Sequence, residues 1–316
     1  MNYLVTGGAG FIGSNLVDKL LELGHRVIVL DDFSGGKEQN LASQKNNPNL
    51  KIVKKSIGDN LQEILSGEHF DGVFHFAARP RVQYSIEHPV ETHDINVNGT
   101  LNLLEFCRVA GIKRIVFSSS SSVYGDQKIL PLVETMTPDP LSPYALHKLL
   151  GEEYMRLYFH VYGLETISLR YFNVYGPRID PSGGYPLAIA KFINLVKKGE
   201  SPTITGDGEQ TRDFTYVGDV VRANILAMET TNKECFGQSF NIGAGNNVTI
   251  NHVASEIIKL SGKDIKPVYI PARFEPRNTL ADHTKAKNLL GWEPEVVFEE
   301  GLKRTWDYFV VKSPHD

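Results

Sequence analysis

The sequence predicts an α/β fold, a doubly wound parallel sheet followed by a smaller C-terminal α+β lobe. Two observations predict it. Short apolar runs alternate with amphipathic helical patterns as far as residue 170, giving five or six strand–helix units. The first unit joins its strand to its helix through a glycine-rich turn, and acidic residues close the next strand. Beyond residue 170 the alternation loosens. That separates a first domain over 1–170 from a lobe over 171–316, some of whose segments are expected to return to the first sheet.

The elements follow in order. Tyr3-Leu4-Val5 reads as a short buried strand. In Thr6-Gly7-Gly8-Ala9-Gly10-Phe11-Ile12-Gly13 the glycines fall at 7, 10 and 13. An amphipathic helix follows, with Leu16, Val17, Leu20, Leu21 and Leu23 inward and Gly24 at its end. Arg26–Leu30 is a second strand, closed by Asp31 and Asp32. Glycines let the backbone turn sharply and approach a pyrophosphate, while the helix start offers free N–H groups and a positive dipole end. Asp31 stands 18 residues after Gly13, where a carboxylate accepts from a ribose diol and repels a 2′-phosphate. The unit therefore reads as Rossmann-type, with NAD favoured over NADP.

Residues 35–48 are polar and read as a loop. Leu50–Lys54 is a third strand. Asp59, at its carboxyl side, suits either an adenine amino group or a plain turn. Asp71–Ala78 is a fourth strand, ending in small residues against which a cofactor could lie, and His75 within it reads as a packed core histidine. Arg79–Ser85 reads as a loop whose two arginines face a phosphate, a carboxylate or solvent. Pro89 opens a long helix to Gly111 with Gly99 inside it, at a cost of about 1 kcal/mol against Ala. Close approach of another element would explain that glycine. Arg114–Phe117 is the next strand, and Ser118–Ser122 emerge at its carboxyl end.

Ser142-Pro143-Tyr144-Ala145-Leu146-His147-Lys148 then begins a helix. Pro143 suits the first turn, where its missing N–H has no helical partner. Tyr144 and Lys148 share one face. A phenol titrates near 10, and a neighbouring positive charge favours the phenolate. That is what a general base for an alcohol requires. Beside a nicotinamide, with the Ser120 hydroxyl, the pair would remove an alcohol proton while the cofactor takes a hydride from the same carbon.

The bounds are those of a soluble enzyme. The 316 residues are 41% hydrophobic and 22% charged, with a formal net charge of −4. The acidic balance argues against nucleic acid or a membrane surface as partner. Two distant cysteines, Cys107 and Cys235, give neither a disulfide framework nor a zinc spacing. No metal site is expected. No signal peptide and no apolar run of membrane-spanning length is visible, so a reducing cytoplasm is expected.

Together, the Thr6–Gly13 turn, Ser118-Ser119-Ser120 before Val123-Tyr124-Gly125, Tyr144 with Lys148, and Arg170-Tyr171-Phe172-Asn173-Val174-Tyr175-Gly176 resemble the extended short-chain dehydrogenase/reductase family. Within it the chain is most similar to UDP-glucose/UDP-N-acetylglucosamine 4-epimerases. The resemblance covers nearly the whole chain. It implies Tyr144 as base, Lys148 as its electrostatic partner that also holds the nicotinamide ribose, and Ser120 bridging substrate and Tyr144. It places Gly7, Gly10, Phe11, Ile12, Gly13, Asp31, Asp32, Asp59, Asn60, Phe76, Ala77, Ala78, Asn96, Ser118 and Tyr171 beside NAD. It places Arg81, Ser122, Asn173, Ala188, Ile189, Arg212 and Thr279 beside the UDP-sugar, with Arg273 and Arg277 competing for the diphosphate. Glu275 stands near the place of a family acid, in a stretch one residue shorter than the family's.

The implied reaction is inversion at C4 through a transient 4-keto sugar, with NAD regenerated. Sugar 4,6-dehydratases and nucleotide-sugar decarboxylases carry an acid where this chain has Ser121-Ser122. UDP-glucuronate 4-epimerase is the alternative, since Arg79, Arg81 and Arg178 could meet a carboxylate. A small Thr279 leaves room for a 2-acetamido group. A non-catalytic NAD-binding regulator would be expected to lack the Ser, Tyr or Lys, and all three are present. A homodimer through the helices around 89–110 and 143–162 is implied, with Tyr158, Phe159 and Tyr162 as interface candidates.

Overall fold

The computed structural model describes residues 1–181, 188–272 and 277–311. Its centre is a seven-stranded sheet of β1 (Asn2–Thr6), β2 (Arg26–Leu30), β3 (Leu50–Val53), β4 (Gly72–His75), β5 (Arg114–Ser120), β6 (Glu165–Tyr171) and β11 (Gln238–Ile242). The strands lie in the order β11-β6-β5-β4-β1-β2-β3 and are parallel at every pairing. Chain order reverses between β1 and β4, which creates the crevice where such sheets bind ligands.

Both faces of the sheet are covered, which is why its strands read as continuous apolar runs. Val5, Val29 and Val116 pack with α1 (Phe11–Glu22) and α8 (Val217–Glu229) on one side. Leu4, Ile28, Ile115 and Phe117 pack with α5 (Gly99–Val109) and α6 (Pro143–Tyr162) on the other. Neighbouring residues of one strand thus serve opposite cores. Leu23, expected inward, is exposed, because it caps α1 just before Gly24 turns the chain at φ +77°.

The lobe is built from short pairs. These are β7 (Val174–Tyr175) with β10 (Thr215–Tyr216), β8 (Thr203–Thr205) with β13 (Val268–Ile270), and β9 (Thr211–Arg212) with β12 (Val248–Thr249). Around them stand α7 (Ala188–Lys197), α9 (Ile250–Ser261), α10 (Thr284–Leu290) and α11 (Phe298–Val311).

Two elements differ from the sequence reading. The stretch 79–85, read as a loop, turns helical in α3 (Val82–Glu87), where the Ser85 hydroxyl donates to the Val82 carbonyl at 2.6 Å. The long helix from Pro89 is interrupted: α4 (Pro89–His93) passes through a π-helical turn over 94–98 into α5. Gly99 follows that turn, and a Cβ there would stand 2.8 Å from Ile57 Cδ1. Close packing is therefore what the glycine permits.

His75 is a core histidine. Its Nδ1 lies 2.8 Å from Thr6 Oγ1 and its Nε2 3.0 Å from Thr100 Oγ1. Burial, with the Lys148 charge adding to it, pushes its pKa from 6.5 down to about 3. The folded value lies below the unfolded one, so the folded chain binds fewer protons in that interval. The stability is present above pH 6.5 and is lost as pH falls towards 3. By pH 4 the cost is on the order of 3 kcal/mol. Thermal melts from pH 7 to pH 4 should show this decline, and His75→Gln, which bonds without titrating, should show a shallower one.

Candidate active site

The turn after β1 is shaped by its glycines. Gly7 adopts φ +69°, and a Cβ there would lie 2.6 Å from the Ala77 nitrogen and 2.8 Å from the Phe76 carbonyl carbon. A Cβ on Gly13 would meet the Gly7 oxygen at 2.3 Å. The turn therefore lies directly against Phe76 and Ala77 at the end of β4, with Ala78 next in the chain. Gly10 caps α1 without a side-chain hydrogen bond, and no acid stands in the first turn around Phe11 and Ile12. Such a helix start has N–H groups to offer an anion. These residues fit the pyrophosphate of a dinucleotide.

Asp31 is buried, and burial raises its pKa against the pull of two backbone N–H groups. Its oxygens accept from Ala9 N and Phe33 N, both at 2.8 Å. Each ionised carboxylate oxygen has a second lone pair, so acceptor capacity for a ribose diol remains. Asp32 is turned to other partners: it accepts from Ser34 N at 2.9 Å and from Arg79 Nη2 at 3.1 Å. Asp59 closes a turn, accepting from Ser56 N at 2.9 Å, and Asn60 caps α2 (Leu61–Ile64). Asn96 spends both amide functions on the loop after β4, accepting from Arg79 N at 2.7 Å and donating to Arg79 O at 3.2 Å. It shapes the crevice wall through that loop.

The catalytic candidates meet at the carboxyl end of β5. Ser142 caps α6, its hydroxyl accepting from Ala145 N at 3.2 Å, and Pro143 occupies the first turn. The Tyr144 N–H, free at a helix start, donates to Ser85 Oγ at 3.0 Å. Lys148 Nζ lies 5.9 Å from the Tyr144 ring centroid and donates to the Ser118 carbonyl at 2.5 Å. Ser120 Oγ accepts from Ser122 N at 3.2 Å. Ser122 Oγ is buried without a partner among the described residues.

The expected depression of the phenol pKa is absent in the protein alone. Burial raises Tyr144, and a hydrogen bond with Ser120 opposes it only in part. Lys148 is itself pushed down to about 8 by burial, with Glu152 acting the other way. The ammonium is turned towards a carbonyl rather than held against the phenol. Tyr171, beside Ser120 in the register of β6 and β5, donates to Asn224 Oδ1 at 3.0 Å.

On the lobe side, Asn173 (φ +28°) donates to Asp213 O at 3.2 Å and to Thr279 Oγ1 at 3.4 Å. Arg212 Nη1 donates to the Thr211 and Arg277 carbonyls at 2.9 and 3.1 Å. Arg277 is exposed and pairs with Asp207 at 2.9 Å. Ala188 opens α7, but the Ile189 side chain is fully buried in the core and packs there. Arg273 and Glu275 lie outside the described residues.

Two residues passed over in the sequence are central here. Asp213 accepts from Gly245 N and Ala281 N at 3.0 and 2.8 Å, tying three segments together, and burial pushes it up to about 6. Glu152 sits on α6 one turn beyond Lys148. The i+4 spacing of Glu152 from Lys148 was the available signal.

A glycine cradle fitted to a pyrophosphate and a serine, tyrosine and lysine at the end of the fifth strand define a nicotinamide-dependent enzyme. The comparisons agree. A family model described as GDP-mannose 4,6 dehydratase matches residues 4–305. The chain belongs to that family, within the extended short-chain dehydrogenases/reductases. A UDP-glucose 4-epimerase of Mycolicibacterium smegmatis is 39% identical over 99% of this chain and 100% of its own. A UDP-glucuronate 4-epimerase of Thermodesulfobacterium geofontis is 38% identical over 96% of this chain and 94% of its own. Among solved structures, UDP-glucose 4-epimerase of Thermotoga maritima with UDP-glucose superposes with a TM-score of 0.92 at 44% identity, covering 99% of both chains. UDP-N-acetylglucosamine 4-epimerase of Methanobrevibacter ruminantium, in complex with UDP-N-acetylmuramic acid, gives 0.93 at 38% identity and 98% of both. UDP-glucose 4-epimerase of Thermus thermophilus in complex with NAD gives 0.89 at 36% identity, over 98% of this chain and 99% of the other.

Among the described residues no helix is long and apolar enough to cross a membrane, and no cluster of His, Cys, Asp and Glu could hold a metal ion.

Proposed function

We propose that this enzyme inverts C4 of a UDP-hexose, UDP-Glc/UDP-Gal and also UDP-GlcNAc/UDP-GalNAc, through a transient 4-keto sugar. It is an isomerase of the nucleotide-sugar 4-epimerase class with NAD as its cofactor. The observation that carries the reading is the meeting of Ser120, Tyr144 and Lys148 at the end of β5, the strand next to the β4 end on which the glycine turn lies.

Tyr144 takes the 4-OH proton and returns it after the keto sugar has turned over. Ser120 holds the same hydroxyl in line. In the free protein the phenol keeps its proton, so the base role requires added positive charge in the site. When bound, NAD supplies the hydride acceptor and donor, and its oxidised ring carries such a charge. Lys148, protonated below about pH 8, contributes a second one. Lys148 is buried while Ser120 and Tyr144 are only half-buried, so the pair keeps an open side towards a substrate.

The hexose reading is favoured over the uronate by the arginines. Arg79 pairs with Asp32 and Glu91, Arg81 with Asp180, and Arg178 with Asp18. Each cation expected to meet a sugar carboxylate is already matched by an acid of the chain. Thr279, small and half-buried beside Asn173, supports admission of a 2-acetamido group. A homodimer is the companion proposal. Tyr158 is buried in its own core with its hydroxyl on Glu105, while Leu157, Val161 and Tyr162 of α6 are exposed and available for a second copy.

Incubation with UDP-Gal, UDP-GalNAc and UDP-GalA separately, without added NAD, tests the reading by proton NMR. Inversion of the first two is expected. Turnover of UDP-GalA alone would replace it with the glucuronate activity.

A further inference from the structure

A buried ion pair lies behind the reacting serine, and the chemistry above does not use it. Arg170 on β6 is the register partner of Ser119 on β5, and Ser239 stands on the neighbouring β11. All three reach one carboxylate of α6. Ser119 Oγ donates to Glu152 Oε1 at 2.5 Å, and Ser239 Oγ to Oε2 at 3.0 Å. Arg170 donates Nε to Oε1 at 2.9 Å and Nη2 to Oε2 at 2.7 Å. Glu152 and Arg170 are each 5% exposed.

Such a pair is weak evidence of stability, because desolvating both charges offsets their attraction and apolar replacements often serve as well. Its place suggests another use. Tyr144, Lys148 and Glu152 succeed one another at i, i+4 and i+8 along one stripe of α6. The strand that Glu152 grips through Ser119 also presents Ser118, whose carbonyl catches Lys148, and Ser120. Strand alternation turns Ser118 and Ser120 away from Ser119. Gripping the middle residue therefore fixes its two neighbours without touching their side chains.

We propose that Glu152 is a positioning residue for this site: it clamps the last three residues of β5 through Ser119 and sets a fixed negative charge behind Lys148. The proposal rests on the epimerase reading for its kinetic arm only. The groups around Lys148 are Tyr144 and Glu152 on α6, neutral His75 on β4, and the Phe117 ring and Ser118 carbonyl on β5. Glu152 is the charge among them that raises the Lys148 pKa.

Two variants test it. Ser119→Ala cuts the clamp and leaves the ion pair. Glu152→Gln with Arg170→Met removes both charges together, so neither is left buried alone. Ser119→Ala is expected to fold as wild type and to lose about tenfold in kcat with KM nearly unchanged, as sub-ångström displacement of reacting groups does. Ser119→Thr, which keeps the hydroxyl, should restore the rate. In the double variant the Lys148 ε-methylene resonance, assigned by its loss in Lys148→Met, should titrate at lower pH than in wild type without any substrate. Wild-type kcat in Ser119→Ala, or an unmoved Lys148 titration, would overturn the proposal. If the double variant fails to fold, Ser119→Ala with its Thr rescue decides alone. If wild type inverts no UDP-sugar, the epimerase reading fails, and the Lys148 titration still judges the electrostatic arm.

Discussion

Tyr144→Phe is expected to lower kcat for C4 inversion by about 10²- to 10⁴-fold, with the fold and the bound NAD intact. The substitution removes one hydroxyl, whose described partner is Ser120. The backbone role is untouched, since the Tyr144 N–H still donates to Ser85 Oγ at 3.0 Å. The ring still fills its place beside Lys148. What disappears is the proposed base, a loss of about 3–5 kcal/mol at 1.36 kcal/mol per decade. KM should change little, because the loss falls on the transition state. NMR rates under saturating UDP-Gal measure it. A rate within tenfold of wild type would remove Tyr144 from the base role.

Gly7→Ala is expected to yield protein without NAD and without activity unless cofactor is added in excess. Two costs combine. A left-handed backbone at φ +69° is disfavoured for alanine by roughly 1–2 kcal/mol. The new methyl would also press on the Ala77 nitrogen at 2.6 Å and the Phe76 carbonyl carbon at 2.8 Å. Those are backbone atoms of the adjoining strand end and cannot swing aside. The turn must lift off β4, and the helix start that faces the pyrophosphate moves with it. Chromatography of nucleotide released by denaturing the purified variant provides the measurement. Stoichiometric NAD in that extract would show that the turn tolerates the methyl group.

Much of this site was readable as text because its parts are local. The glycines and Asp31 are set by spacings within the first strand–turn–helix–strand unit, and the Tyr144–Lys148 pair by spacing along one helix, where geometry follows from sequence distance. Ser120 needed only the rule that strand ends share one edge. The parts that were not readable depend on register between strands. Ser119, Arg170 and Ser239 converge on Glu152 only because β5, β6 and β11 lie side by side. Asp213 carries no motif of its own, yet it joins residues 245 and 281 across the lobe. The interruption at 94–98 left no periodic trace, since a single widened turn barely shifts an apolar stripe. The phenol pKa was misjudged for a related reason. Spacing puts Lys148 on the same face, while the assembled structure turns its ammonium to the Ser118 carbonyl and raises the phenol by burial.

The Thr279 hydroxyl accepts from both Asn173 Nδ2 and Asp213 N. In the proposed sugar site, selectivity and anchorage of the lobe would thus fall on the same residue. A mutational route that enlarges position 279 to shut out an acetamido group would first strip two donors of their acceptor. The intermediate would be selected against before the new preference was gained. Narrowing this enzyme's diet should therefore proceed by paired changes, with Asn173 altered alongside Thr279, and libraries that vary position 279 alone should return mostly weakened proteins.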